Sequence, residues 1–187
     1  MNTPPPTVSL ATDLDAGVIS EILEETQGWL NAKGIGQWPF AFTPEWIRLC
    51  LEKREFFLAR LDQVAVGLFR LLESDPTFWG ENSGDAMYLH SLTVRRGWKG
   101  RGIGRCLIGW AEEYAARHHR LYLRLDCMAE NAALCRYYEQ AGFVDCGIKE
   151  MPIRNLRWKA RLFQKTVIPT ASSRPAPATA PAGRGGI

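Results

Sequence analysis

Residues Leu92 to Gly104, Leu-Thr-Val-Arg-Arg-Gly-Trp-Lys-Gly-Arg-Gly-Ile-Gly, constrain this chain more than any other segment. An apolar run ends in a basic turn carrying Gly97, Gly100, Gly102 and Gly104, after which Ile103, Leu107, Trp110, Ala111 and Tyr114 recur at helical spacing. A strand that passes through such a turn straight into a helix aims several backbone N–H groups at one point. Glycine, lacking a Cβ, lets those groups close on phosphate oxygens, and the helix N-terminus adds a favourable dipole. The segment reads as a pyrophosphate cradle. Spacing excludes two commoner phosphate loops. A P-loop requires Lys-Ser/Thr after its second glycine, where this chain has Ile103-Gly104; the dinucleotide fingerprint requires a third glycine where this chain has Arg105 or Leu107.

A second motif follows one helix and one strand later: Asn131-Ala132-Ala133-Leu134-Cys135-Arg136-Tyr137-Tyr138-Glu139-Gln140-Ala141-Gly142-Phe143. Together the two segments resemble the GNAT superfamily of N-acetyltransferases, whose signature after its fourth strand is Gln/Arg-x-x-Gly-x-Gly/Ala. Here that signature reads Lys99-Gly100-Arg101-Gly102-Ile103-Gly104. The resemblance is strong from Met87 to Gly147 and rests on element order alone from Val8 onward. It implies an α/β (α+β) fold, a mixed and mostly antiparallel sheet flanked by helices and splayed between strands four and five. Pattern alone supports only a mixed α/β domain. Lys99 departs from the signature: it keeps the positive charge but lacks the planar fork of arginine.

The 187 residues suffice for one well-cored domain and are short for two. Residues 1–6 read as a flexible, proline-rich start, residues 7–168 as a single GNAT-like domain, and residues 169–187 as a Pro/Ala-rich tail that buries too little to offset its ordering entropy. No apolar run reaches the roughly 20 residues of a bilayer span, and the start has no signal-peptide pattern. The five cysteines form no CxxC pair and read as buried thiols in a reducing cytosol. A cytoplasmic location without membrane association is therefore expected. The net charge of +3 is too mild for a dedicated nucleic-acid binder. Its basic cluster of Arg95, Arg96, Lys99, Arg101 and Arg105 surrounds the glycine turn; for Arg95 and Arg96, phosphate recognition and a solvated turn fit equally well.

The remaining pattern alternates. Val8–Leu10 reads as a strand; a helix capped by Asp13 or Asp15 runs to Leu30, with Val18, Ile19, Ile22 and Leu23 at helical spacing. Thr43-Pro44-Glu45 opens a second helix with Trp46, Ile47, Leu49 and Cys50 as apolar positions. Phe56–Leu61 and Val64–Leu71 flank Asp62-Gln63 as a hairpin, followed by a polar loop over 73–85 and a strand over 87–94. A helix over 102–118, a strand over 121–127, a helix over 131–141 and a final hairpin of 143–148 with 157–166 complete the chain.

Acyl transfer from a thioester to an amine requires a held thioester, a deprotonated ammonium and a protonated leaving thiolate. The resemblance assigns acetyl-CoA as acyl donor, with no metal. It gives the pyrophosphate to backbone amides of Arg101, Gly102, Ile103, Gly104 and Arg105 beside Lys99 and Gly100. It gives the pantetheine arm to main-chain groups of Leu92 and Val94, and to Asn131, which also suits a helix N-cap. Tyr138 matches the family tyrosine five residues before the Phe of Gly-Phe, and a phenol of pKa roughly 10 suits protonation of a thiolate. For the base, the chain has Tyr88-Leu89-His90 where polyamine-type members carry Tyr-Leu-Glu. An imidazole of unperturbed pKa near 6.5 can accept a proton at neutral pH. Glu81, Asp85 and Asp126 are rival acids. No thiolate-stabilising neighbour marks Cys127 or Cys135 as a nucleophile, so direct transfer in a ternary complex is expected over a ping-pong route.

Trp29, Trp38, Phe40, Phe42 and Trp46 cluster where family members build the acceptor pocket, with Phe78-Trp79 before the fourth strand. Core packing suits Trp29 and Trp46 best. Trp38, in irregular chain, and Asp126 are the substrate-contact candidates for a small primary amine with an apolar body. A protein or peptide acceptor, or a non-catalytic acyl-CoA sensor, is the alternative reading. GNAT domains often dimerise, so a homodimer is compatible with the resemblance, and the sequence leaves the oligomeric state open.

Overall fold

Strands as uniformly apolar as Phe56-Phe57-Leu58-Ala59 must be covered on both faces. The computed structural model, which describes residues 4–38, 40–81, 84–153 and 156–167, covers them with helices. The elements are β1 (Thr7–Leu10), α1 (Ala16–Ala32), α2 (Pro44–Glu52), β2 (Phe56–Leu61), β3 (Val64–Leu72), α3 (Pro76–Trp79), β4 (Ala86–Val94), α4 (Ile103–Arg117), β5 (Tyr122–Met128), α5 (Ala132–Gln140), β6 (Val144–Ile153) and β7 (Leu156–Thr166). One seven-stranded sheet has the order β1-β2-β3-β4-β5-β7-β6, antiparallel except for the β4/β5 pair. The period of two splits its faces. Phe56, Leu58 and Leu68 pack with Ile19, Ile22 and Leu23 of α1 and Ile47 and Cys50 of α2. Phe57, Ala59 and Phe69 pack on the opposite side with Leu107 and Ala111 of α4.

β4 and β5 part company early. Their parallel register runs only from Ala86↔Tyr122 to Tyr88↔Arg124, yet β4 stays paired with β3 to Val94 and β5 with β7 to Met128. A bulge in β4 lies just beyond the last shared pair. Between Arg70↔His90 and Leu68↔Thr93, β4 carries two residues against one on β3, and Ser91 takes φ 53°. At Gly67 the strands approach so closely that a Cβ would stand 2.5 Å from the Thr93 carbonyl oxygen. The splay expected from the family resemblance is therefore present, with a bulge at its opening.

Several local expectations change. Residues 73–85 contain α3, whose first turn is capped by Asp75 Oδ1 accepting from the Phe78 N–H at 3.3 Å. In α2, Ile47, Cys50 and Leu51 form the buried stripe. Leu49, two residues from Ile47, turns to the far side at 100° per residue and is 47% exposed. Asp15 precedes α1, but its carboxylate accepts from the Thr12 N–H at 2.8 Å and pairs with Arg60 instead of capping α1. β6 continues to Ile153, past the expected end at Ile148. Cys50, Cys127 and Cys135 are buried free thiols, whereas Cys106 and Cys146 are exposed. Residues 4–6 precede β1 without helix or strand, and the expected tail over 169–187 falls outside the described residues. Among the described residues no helix is long and apolar enough to cross a membrane.

Candidate active site

The glycine turn leaves β4 through a 3-10 turn at Arg96–Trp98 and enters α4. Gly100 and Gly102 have φ of 79° and 77°, and a Cβ at either would meet nothing within 4 Å, so side-chain-free backbone borders open space. Backbone hydrogen bonding of α4 begins with the Arg105 N–H donating to the Gly102 oxygen at 3.0 Å. Helix N-termini leave their earlier amides for an external acceptor. Glycine at 104 has a different cause: a Cβ there would stand 2.5 Å from the Tyr137 hydroxyl oxygen. The turn thus presents open, side-chain-free backbone of the kind a pyrophosphate needs.

The two arginines before the cradle are tied to α1. Arg95 pairs with Glu21 at 2.9 Å and Glu25 at 3.4 Å, and Glu25 also accepts from the Arg96 N–H at 2.6 Å. The Arg96 guanidinium lies 3.8 Å over the Trp29 ring. Arg101 turns to Trp98, 4.8 Å from its ring. The Arg105 side chain donates to the Gln140 carbonyl at 2.7 Å, fastening α4 to α5.

A cavity of about 620 Å³ runs from this cradle into the gap between β4 and β5. The residues assigned from the sequence to catalysis or to binding donor and acceptor all line it except Arg101: His90, Leu92 and Val94 on β4; Lys99, Gly100, Gly102, Ile103, Gly104 and Arg105 at the cradle; Asp126 on β5; Asn131 and Tyr138 around α5; and Trp38. Glu81 and Asp85 do not line it, and Asp85 pairs with Arg124 at 3.2 Å. Asn131 caps α5, its Oδ1 accepting from the Leu134 N–H at 3.2 Å. Trp29 and Trp46, expected in the core, also reach the cavity wall.

Lys99 and Arg105 stand at the cradle; deeper along the cavity His90 lies between two carboxylates, with Arg70, paired to Glu55, across the strand from it. His90 Nε2 is 3.0 Å from Asp75 Oδ2, and Nδ1 is 3.6 Å from Asp126 Oδ1. Burial pushes the Asp126 carboxyl up to about 6; the His90 imidazole opposes that rise and the Asp75 charge adds to it. Tyr138 is buried among Cys135, Phe143 and Phe163. Burial raises its phenol well above the usual value, helped by neighbouring Cys127 and Tyr137, so it stays protonated at physiological pH. Burial likewise raises the Cys127 thiol, with Cys135 3.8 Å away, which leaves it a poor nucleophile.

Two contributors were not legible beforehand. Asp75, the cap residue just before α3, reaches His90, and Trp158 reaches the cavity from β7, its Nε1 donating to the Gly36 carbonyl at 3.3 Å. An Asp followed by Pro is an N-cap signature that would have flagged the first. Nothing in the sequence marks the second.

The match to the model of the Acetyltransferase (GNAT) family covers residues 21–143. YesJ of Bacillus subtilis, an uncharacterized N-acetyltransferase, is 31% identical over 137 residues, 69% of this chain and 76% of YesJ. A GNAT-family acetyltransferase structure from Listeria monocytogenes superposes with a TM-score of 0.70 at 25% identity, covering 86% of this chain and 94% of that one. YncA of Salmonella typhimurium, described as an acetyltransferase with its cofactor acetyl-CoA, shares the fold with a TM-score of 0.67 at 17% identity over 94% and 99% of the two chains. Two signatures in order, a sheet opened between β4 and β5, and a family match over most of the chain lead to one conclusion: this protein belongs to the GNAT family of acetyltransferases, enzymes that draw their acetyl group from acetyl-CoA.

Proposed function

We propose that this protein acetylates the primary amine of a small molecule by direct transfer in a ternary complex, with His90 as general base and Tyr138 as general acid. One observation carries the reading: a single cavity joins the glycine cradle to His90, Asp126 and Tyr138. Backbone amides at the start of α4 hold the pyrophosphate, and Lys99 adds positive charge beside it. The free edges of the splayed β4 take the pantetheine arm at Leu92 and Val94, and bound acetyl-CoA supplies the activated acyl group. His90 takes one proton from the acceptor ammonium, which frees the nitrogen lone pair for attack. Tyr138 gives its phenolic proton to the departing sulfur, and its protonated resting state suits that task. The second proton that the nitrogen sheds as the tetrahedral adduct collapses restores the phenol, leaving amide, thiol and one proton on His90. The aromatic walls Trp38, Phe42, Trp46 and Phe78 suit an apolar body on the acceptor.

The test is incubation of the full chain with acetyl-CoA and a pooled library of small amines and peptides, read by mass spectrometry. Small amines gaining one acetyl mass are the expected outcome. Acetylated peptides alone would replace the small-molecule reading with a protein acceptor. Bound acetyl-CoA with no product from either class would overturn the reading in favour of a sensor.

A further inference from the structure

The two carboxylates beside His90 do different jobs. Asp75 is fully committed: Oδ1 accepts from the Phe78 N–H and Oδ2 meets His90 Nε2 at hydrogen-bonding distance. A carboxylate has no hydrogen to give, so the Nε2 nitrogen carries the proton and Nδ1 presents its lone pair. Asp126 Oδ1, 3.6 Å from Nδ1, is too far to hydrogen bond to it and is buried with no other partner among the described residues. Two acceptors thus face each other in side chains only 18% and 8% exposed. Burying both without a shared donor costs free energy that a suitable cation would recover. Arg70, the cross-strand neighbour of His90, does not fill that need, because it pairs with Glu55.

The geometry points to an ammonium fork: a primary alkylammonium donates one N–H to Asp126 Oδ1 and another to His90 Nδ1, while Asp75 is the positioning residue that holds the ring in this tautomer. A nitrogen about 2.8 Å from each acceptor bridges their gap. The inference rests on His90 as the base and names the atoms that serve it. The N–H bond to Nδ1 breaks, its electron pair stays on the amine nitrogen, and Nδ1 gains the proton. The imidazolium then lies between two carboxylates. The acceptor's body is flat and apolar: Phe78 stands 6.2 Å from the His90 ring, Trp158 is edge-on to Phe78 at 5.8 Å, and Trp38 is edge-on to Phe42 at 5.0 Å. Aromatic faces near the fork also favour a cation. The class is a monocationic aralkylamine.

The test is nitrogen NMR of the full chain labelled at histidine, where His90 is separated from His118 and His119 by comparison with His90→Ala. The His90 ring is expected as the Nε2–H tautomer, and an Nδ1–H tautomer would overturn the proposal. Titration with 2-phenylethylamine should move the Nδ1 resonance, and no movement would overturn it. Asp126→Asn should weaken that binding roughly tenfold to a hundredfold, the loss of one charge-assisted hydrogen bond. Asp75→Asn keeps an oxygen for the α3 cap but turns an N–H to Nε2, so it should flip the tautomer and lower affinity comparably. Amine binding should survive chelator treatment. Loss on chelation with recovery on adding zinc would replace the ammonium with a metal, since the three side chains' donor atoms lie within 4.8 Å of one another. If both variants bind and acetylate like the parent, the fork fails and the transferase reading stands; if His90→Ala keeps the full rate, the base assignment fails with it.

Discussion

Asp126→Asn should make this protein more stable at neutral pH while impairing it as an enzyme. The Asp126 carboxyl is raised from an ordinary 3.8 to about 6, burial being the largest cause. A group whose folded pKa lies above its unfolded one holds its proton more tightly in the folded state. Its contribution to stability is therefore fully present below about pH 4 and is lost as pH rises through about 6. A difference of roughly two units, at 1.36 kcal/mol each, amounts to about 3 kcal/mol lost by neutrality. Asparagine has nearly the same shape and no charge to desolvate, so it avoids this loss. Its imperfectly paired amide returns part of the gain, leaving about 2 kcal/mol. Urea unfolding of both proteins at about pH 4, 6 and 8 tests this, because other titrating groups cancel in the difference. The variant should be about 1 kcal/mol less stable in acid, where only the amide's imperfect pairing counts, and should pull ahead as pH rises. A gap that stays flat, or that grows toward acid, would refute the argument that Asp126 is a desolvated charge. The accompanying loss of amine binding would show stability given up for function.

Tyr138→Phe should lower kcat by about 10² to 10⁴ with little change in acetyl-CoA affinity, and full kcat across the pH range would remove the acid role. Gly104→Ala places a Cβ against the Tyr137 hydroxyl and should raise KM for acetyl-CoA about tenfold; adding Tyr137→Phe, which deletes the colliding oxygen, should restore most of it. Gly67→Ala drives a Cβ into the Thr93 carbonyl, a backbone atom that cannot swing aside, and should cost about 2 to 3 kcal/mol by urea unfolding. Brief alkylation of the native protein should label exposed Cys106 and Cys146 and spare Cys127 and Cys135, with no acetylated cysteine trapped during turnover.

What the sequence disclosed and what it withheld divide along the range of the interactions. The cradle was legible because its parts are neighbours in the chain: the glycines, the strand before them and the helix after them fix one another locally. The place of Tyr138 on the cavity wall was legible through its fixed spacing to Gly142-Phe143. Leu49 was misjudged because a nine-residue helix offers few turns from which to choose its buried face. The bulge was invisible, since serine at positive φ has no composition signal and arises from the pairing of β4 with β3. That same bulge stands beside His90, and α3, a four-residue helix inside an apparently featureless loop, delivers Asp75 to it. His90, Asp75 and Asp126 come from β4, the end of a loop and β5, with no spacing rule to relate them. Binding a donor common to a whole family needs only local backbone. On the proposed function, gripping and deprotonating one acceptor needs side chains gathered across the sheet, and the cluster of His90, Asp75 and Asp126 came together only once the sheet was assembled.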